Sequence, residues 1–236
     1  MPEAAGPDAP GLDAPGRDCA LCPRLAAFRA ANRAAHADWF NAPVPSFGAL
    51  DAPLLVVGLA PGLRGANRTG RPFTGDFAGE LLYATLLRFG LAHGEYRARA
   101  DDGFALSGCR VTNAARCVPP QNKPLPAELR ACGGFLSAEM AAMPRLRGVL
   151  ALGGLAHQAV LRTWGQPVAR FPFAHGAVHR VPGRPVLADS YHVSRLNTNT
   201  GRLTEAMFVA VVEALLGLVG GAPLGAAALD RAGRGS

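Results

Sequence analysis

Four short apolar runs, each closed by a glycine-rich or polar turn, constrain this chain more than any other feature. They are PLLVVGLAPG at 53–62, CRVTNAA at 109–115, GVLALG at 148–153 and RPVLADSYH at 184–192. A strand with one wet face alternates apolar and polar residues; runs this uniformly apolar read as strands buried on both faces, the condition of a parallel sheet. Between and after them stand segments with helical spacing: 77–90, 125–143, 154–165 and 201–219. The first places Phe77, Leu81, Leu82, Leu86 and Phe89 on one face and stops at Gly90. Gly133 and Gly134 weaken the middle of the second. The alternation predicts an α/β fold, a three-layer α/β/α sandwich on a mainly parallel central sheet. Ligands of such sheets bind beyond the carboxyl ends of the strands, so chemistry is expected in GLAPG, VTNAA and SYHVS.

Composition bounds the rest. Hydrophobic types make up 49% and charged types 17% of 236 residues, enough apolar material for the core of one domain. Residues 1–17 and 220–236 are rich in Pro, Gly and Ala without periodicity, and read as disordered tails flanking a domain over 18–219. The N-terminus lacks the basic start and apolar stretch of a signal peptide, and no apolar run approaches the roughly 18 residues that span a bilayer. A soluble, cytoplasmic protein without a membrane partner is expected, acting as a monomer. The formal net charge is +7, and four acids (Glu3, Asp8, Asp13 and Asp18) lie in the N-terminal segment, so the body is more basic still. A basic body suits a polyanionic partner. Lys123 is the sole lysine among 24 basic side chains, which leaves a Schiff-base mechanism a single candidate amine.

The five cysteines fall as C-x2-C (Cys19, Cys22), then Cys109 alone, then Cys117 and Cys132. Cys109 stands among the apolar residues of a strand and reads as core. No strand precedes Cys19, which disfavours a thioredoxin-type site. Cys19, Cys22, Cys117 and Cys132 can bind zinc or an iron–sulfur cluster equally well; alternatively Cys117 and Cys132 are small buried residues.

Three loops carry candidate chemistry. GLAPGLRGANRTGRPFTGDFAG at 58–79 is glycine-rich but neither a GxGxxG fingerprint nor a P-loop; its glycines permit close backbone approach to a ligand. Asp76 just precedes a helix, as an N-cap or as a functional carboxylate, and Phe73 is a loop aromatic, as a packing staple or a stacking surface. SYHVSRLNTNTG at 190–201 gathers His192, Ser194, Arg195 and Asn197 at a strand's carboxyl end; His192 is catalytic or structural, and Ser194-Arg195 grips a phosphate or forms an ordinary turn. Asn113 ends the second strand, where its amide reads a base edge or pins a loop.

Taken together these motifs resemble the uracil-DNA glycosylase superfamily. GLAPG is similar to its first motif and HVSRLN to its second, written H-P/V-S-x-x-N, while GRPFTGDFAG, VTNAARCVPPQNKP and the four cysteines are similar to the iron–sulfur families 4 and 5. The apolar Ala60 in GLAPG points to family 5, the broad-specificity type-b branch. The resemblance covers roughly residues 19 to 217. It implies base excision repair: hydrolytic removal of uracil, with hypoxanthine and xanthine as further substrates, from DNA to leave an abasic strand. It also implies a [4Fe–4S] cluster on Cys19, Cys22, Cys117 and Cys132. Asp76 would be the catalytic carboxylate and His192 would sit near O2 of the base. Phe73 would stack on the extruded base, Asn113 would bond its edge, and Gly58, Ala60 and Gly62 would approach it through their backbone. Arg195 and Asn197 would lie in the loop that approaches the DNA minor groove, with Ser194 as a substrate-binding residue beside them.

Other classes make different demands. A narrow family 4 uracil enzyme would share the cysteines. A non-catalytic nucleic-acid binder stapled by zinc or iron–sulfur would use the basic surface and cysteines but not Asp76 or His192. An α/β electron-transfer module would hold flavin or nucleotide at GLAPG and show no salt-dependent DNA affinity.

Overall fold

The computed structural model describes residues 13–220. The elements run α1 (Pro23–Ala35), β1 (Leu54–Gly58), α2 (Ala66–Thr69), α3 (Phe77–Arg88), β2 (Ala92–His93), β3 (Ala105–Leu106), β4 (Cys109–Asn113), α4 (Pro126–Ala141), β5 (Gly148–Leu152), α5 (Gly154–Thr163), β6 (Val178–His179), β7 (Val186–Ser190), α6 (Arg195–Asn199) and α7 (Glu205–Val219). The central sheet has the order β4-β1-β5-β7-β6. Its first four strands are parallel and β6 runs antiparallel along one edge. β2 and β3 form a separate antiparallel pair.

The four apolar runs are the four parallel strands, and the two-residue period of a strand sorts their side chains between two cores. Leu54, Val56, Val111, Leu150, Leu152 and Ala188 face α3 and α7; Leu55, Val57, Val149, Ala151 and Leu187 face α4 and α5. The result is a mainly parallel sheet flanked by helices on both faces. Thr204 caps α7 by accepting from the Met207 N–H, and Gly220 closes it in the left-handed conformation. α4 runs unbroken through Gly133 and Gly134, where a methyl would meet open space. Its start is secured by Glu128, which accepts from the Leu125 N–H at 2.7 Å.

The structure departs from the sequence reading in several places. The buried stripe of α3 is Ala78, Gly79, Leu82, Tyr83 and Leu86; Leu81 and Phe89 are only partly buried, and Phe77 turns toward a cavity. The helix is rotated because the Tyr83 hydroxyl donates to the Pro72 carbonyl and Gly79 packs under Phe73. Helix α1 escaped the periodicity because its buried residues are Leu25, Arg29 and Asn32, not an apolar stripe. β6 is two residues long, held to β7 in part by the buried Asp189, whose carboxylate bonds His157 and His179, each at 2.8 Å. Of the proposed tails, residues 1–12 and 221–236 lie outside the described residues. The end of the first is in place: the Arg17 carbonyl accepts from Arg33 at 2.9 Å. No helix among the described residues is long and apolar enough to cross a membrane.

Several of the arginines that make the chain basic are internal. Glu139 on α4 is fully buried and takes Arg110 Nε at 2.5 Å and Arg116 Nη2 at 2.6 Å; Arg116 also donates to Ser46 Oγ at 2.7 Å. This ties α4 to β4 and to the loop that carries Cys117. Burial alone would raise the Glu139 pKa, but Arg116 and Arg110 outweigh it and hold the carboxyl below its ordinary value. Glu139→Gln would remove the carboxylate that Arg116 and Arg110 share, at a cost of about 3–5 kcal/mol. Urea unfolding should show that loss as a lowered midpoint. The pH dependence has a definite sign. Glu139's folded pKa is depressed, so its contribution is complete above the unfolded value and fades as pH falls through the folded one.

Candidate active site

The carboxyl ends of β1, β4 and β7 open onto a cavity of about 540 Å³, within the range of small-ligand sites. The loop after β1 supplies Leu59, Ala60, Pro61 and Gly62 to its wall; Phe73, Asp76, Phe77 and Ala78 come from the approach to α3 and its first turn. Asn113 ends β4, and His192, Ser194 and Arg195 follow β7.

Asp76 is the N-cap of α3, its Oδ1 accepting from the Ala78 N–H at 3.2 Å. The other oxygen lies on the backbone of the loop after β1: a methyl at Gly62 would stand 2.7 Å from Oδ2, and one at Gly65 would collide with it. Burial raises the Asp76 pKa, and the backbone N–H groups of Ala78 and Gly79 pull against it. The cap and the functional carboxylate are thus one residue, with one oxygen engaged by the helix and the other turned to the loop.

Phe73 has φ 51°, a left-handed conformation uncommon outside glycine. Its ring is 6% exposed and lies over Gly58, where an added methyl would stand 2.5 Å from Cζ and would also strike Asn113 Oδ1. The ring centroid is 6.1 Å from that of His192. The His192 carbonyl accepts from Asn197 Nδ2 at 2.8 Å, and Gly153, at φ 98°, leaves space beside its Cβ. Burial lowers the His192 pKa below its ordinary value, which favours the uncharged ring. Among the described residues nothing hydrogen-bonds the His192 ring or the Asn113 amide, which leaves both with polar atoms for a ligand.

Ala60, Gly62, Phe73, Asn113, Ser194 and Arg195 therefore meet Asp76 and His192 on one cavity. Gly58 and Asn197 stand behind it, the first beneath Phe73 and Asn113, the second holding the His192 backbone. Ser194 also caps α6, accepting from the Asn197 N–H. The Arg195 guanidinium lies 5.4 Å from the Phe77 ring centroid, and next to it Leu196 is 72% exposed. Asn122 also lines the cavity, from a 3-10 turn at 120–122 where Gln121 and Asn122 are both left-handed. Sequence reading passed over it; the PPQNKP turn after Cys117 is the signal that was present.

A second, smaller cavity is lined by Cys19, Cys22, Cys117 and Cys132 together, with Pro15, Leu25, Arg29, Arg116 and Phe135 among its other walls. The buried Arg29 donates to Cys117 Sγ at 3.4 Å, and the Arg116 N–H to Cys132 Sγ at 3.4 Å. Burial pushes the Cys117 thiol up to about 11, with the nearby sulfurs adding to the shift, and raises Cys22 and Cys132 in the same way. Four half-buried thiols on one cavity favour a cationic centre that would hold them as thiolates. No three of these sulfurs converge within 4.8 Å, whereas a tetrahedral ZnS₄ site with Zn–S near 2.3 Å brings all four closer than that. Cys109 is buried in β4, away from this set, with its thiol pushed up to about 12 by burial.

Known proteins carry the same pattern. A family model described as the Uracil DNA glycosylase superfamily matches residues 45–216. A type-5 uracil-DNA glycosylase of Thermus thermophilus is 46% identical over 199 residues, covering 82% of this chain and 90% of that protein. One from Pyrobaculum aerophilum is 43% identical over 79% of this chain and 83% of its own length. A type-4 uracil-DNA glycosylase of Archaeoglobus fulgidus is 32% identical over a smaller share, 58% of this chain and 62% of its own. The chain belongs to the uracil-DNA glycosylase superfamily.

Proposed function

We propose that this protein is a DNA repair glycosylase that removes uracil, and also hypoxanthine and xanthine, by hydrolysis of the N-glycosidic bond. The observation that carries the reading is the meeting of Asp76, His192, Asn113 and Phe73 on one cavity at the carboxyl edge of the sheet. The relatives named as type-5 uracil-DNA glycosylases support uracil as a substrate. The cavity volume, and the Asn113 amide with both a donor and an acceptor and no hydrogen-bond partner among the described residues, support extension to purines.

A base inside a duplex is out of reach, so the nucleotide must be extruded, at a few kcal/mol, least for damaged or mispaired bases. The exposed Arg64, Arg68 and Arg195 suit the backbone phosphates. Leu196, apolar and exposed beside Arg195, suits the gap left in the stack. Phe73 receives the face of the base and Asn113 its edge. Cleavage of the C1′–N bond leaves positive character on the sugar and negative charge on the base. Asp76, ionised, stabilises the first and orients the attacking water; His192, neutral, donates to O2 of the departing base. The sole lysine, Lys123, is not among the residues lining the cavity, which supports a monofunctional reaction ending at an intact abasic strand.

Cys19, Cys22, Cys117 and Cys132, which line one cavity, would hold a [4Fe–4S] cluster as thiolates. Such a group supplies cross-linking here, closing the chain between Cys22 and Cys117. Cys117→Ser should lose iron and the brown colour together, and should melt at a lower temperature than the wild type in a thermal scan.

Duplexes carrying one uracil or one hypoxanthine, incubated with protein and then treated with alkali, test the activity. Wild type should cut both only after alkali, and Asp76→Ala should be slower by about 10²–10⁴-fold. Cleavage of uracil alone would place the protein with the narrow enzymes; no cleavage by folded, cluster-bearing protein would leave a DNA-binding role. The rate should climb with pH as Asp76, its pKa raised by burial, loses its proton. Asp76→Asn should retain no such acid limb.

A further inference from the structure

The backbone that delivers Phe73 and Asp76 is gripped from behind by groups that do not touch the cavity. The Tyr83 hydroxyl donates to the Pro72 carbonyl, and the Tyr96 hydroxyl donates to the next one, that of Phe73, at 3.1 Å. The Arg71 guanidinium lies within 6 Å of the ring centroids of Phe47, Tyr83, Tyr96 and Phe104, and forms a bidentate pair with Asp102 at 2.8 Å and 2.8 Å. Both side chains of that pair are out of solvent. Asp102 in turn accepts from the Arg97 and Phe104 N–H groups, which anchors the segment following Tyr96. Arg71 Nε reaches Thr74 Oγ1 at 2.8 Å, so one guanidinium holds both the tyrosine rings and the loop they grip.

Two facts show that this arrangement constrains the loop and does more than fill space. Phe73 is left-handed, a conformation that persists in a bulky residue only where its surroundings enforce it. Position 79 is glycine, and a methyl there would collide with both the Phe73 carbonyl and the Tyr96 hydroxyl. The hydrogen bond between them thus passes directly over the first turn of α3, the turn that Asp76 caps.

We propose that Tyr96 is a positioning residue for base excision, acting through the Phe73 carbonyl to hold the Phe73 ring over Gly58 in the orientation that receives the base, with Tyr83 and the Arg71–Asp102 pair as its support. The proposal rests on the glycosylase reading above. Tyr96 keeps its proton across the working range, since burial pushes its pKa up to about 12, so the hydroxyl remains a donor.

Single-turnover uracil release by the intact, cluster-bearing protein tests this in a double-mutant cycle of Tyr96→Phe and Phe73→Ala. Losing one hydroxyl donor should slow the bond-breaking rate by about two- to tenfold while DNA affinity and melting temperature stay near wild type. In the Phe73→Ala background the same change should have no further effect, because the ring it orients is gone. A structural role unconnected to the ring would instead give equal losses in both backgrounds, or a loss of affinity, and either result overturns the proposal. Gly79→Ala, which forces the hydroxyl and the carbonyl apart, should reproduce the Tyr96→Phe loss; wild-type rates in that variant would also overturn it. An inactive wild type would overturn the enzyme reading itself, whereas an active wild type with an indifferent Tyr96→Phe overturns only the clamp.

Discussion

The site depends on one position where no side chain fits. Gly58 ends β1 directly opposite Asn113 of β4, and the Phe73 ring and the Asn113 amide oxygen both come to rest against its α-carbon. The parallel register between β1 and β4 sets the height of Asn113. The bare α-carbon at 58 sets how deep the aromatic ring lies. Everything else that faces the cavity is arranged around that floor: Asp76 along the wall made by the loop after β1, and His192 on the strand end two places across the sheet. A methyl at this point would lift the ring and push the amide aside at once, so the geometry of two functional groups is controlled by the absence of a third.

Much of this was legible in the order of the residues, for physical reasons that differ by element. The parallel strands were visible because strands covered on both faces can contain almost nothing polar. His192 was expected beside a ligand site from its place at a strand's carboxyl end, whereas Asp76 read from its position as an N-cap and was drawn to the site by the resemblance; both line the cavity. The glycines were legible as a need for space, and the structure adds occupants to that reading: Gly62 and Gly65 admit the Asp76 carboxylate, and Gly58 the Phe73 ring and the Asn113 amide oxygen. α1 was hidden because its inward face carries Arg29, which reaches Cys117 Sγ far along the chain, and Asn32, whose buried amide nitrogen has no hydrogen-bond partner among the described residues. Asn122 was hidden because its approach to the cavity requires two consecutive left-handed residues, which no periodicity announces.

The two cavities are joined by covalent chain as well as by packing. From Cys117 only a few residues lead through the Pro119-Pro120 pair to Asn122 on the larger cavity, and the Lys123 carbonyl is held by Arg24, one turn from Cys22. α1, the start of α4 and this turn are bound together through Glu128, which takes both Arg24 and the Leu125 N–H. The cysteine segment is therefore part of the wall that shapes the far end of the site, and its order and that of Asn122 are a single structural question.

The interior arginines also change how the charge of the chain should be counted. Arg29, Arg71, Arg110 and Arg116 are all buried; the enclosed Asp102 carboxylate pairs with Arg71 and Glu139 with Arg110 and Arg116, while Glu128 and Asp189 are buried as well. Charge held inside by ion pairs and by the Cys117 sulfur does not steer a polyanion; the exposed arginines, Arg64, Arg68 and Arg195 among them, set the long-range field that a nucleic acid feels.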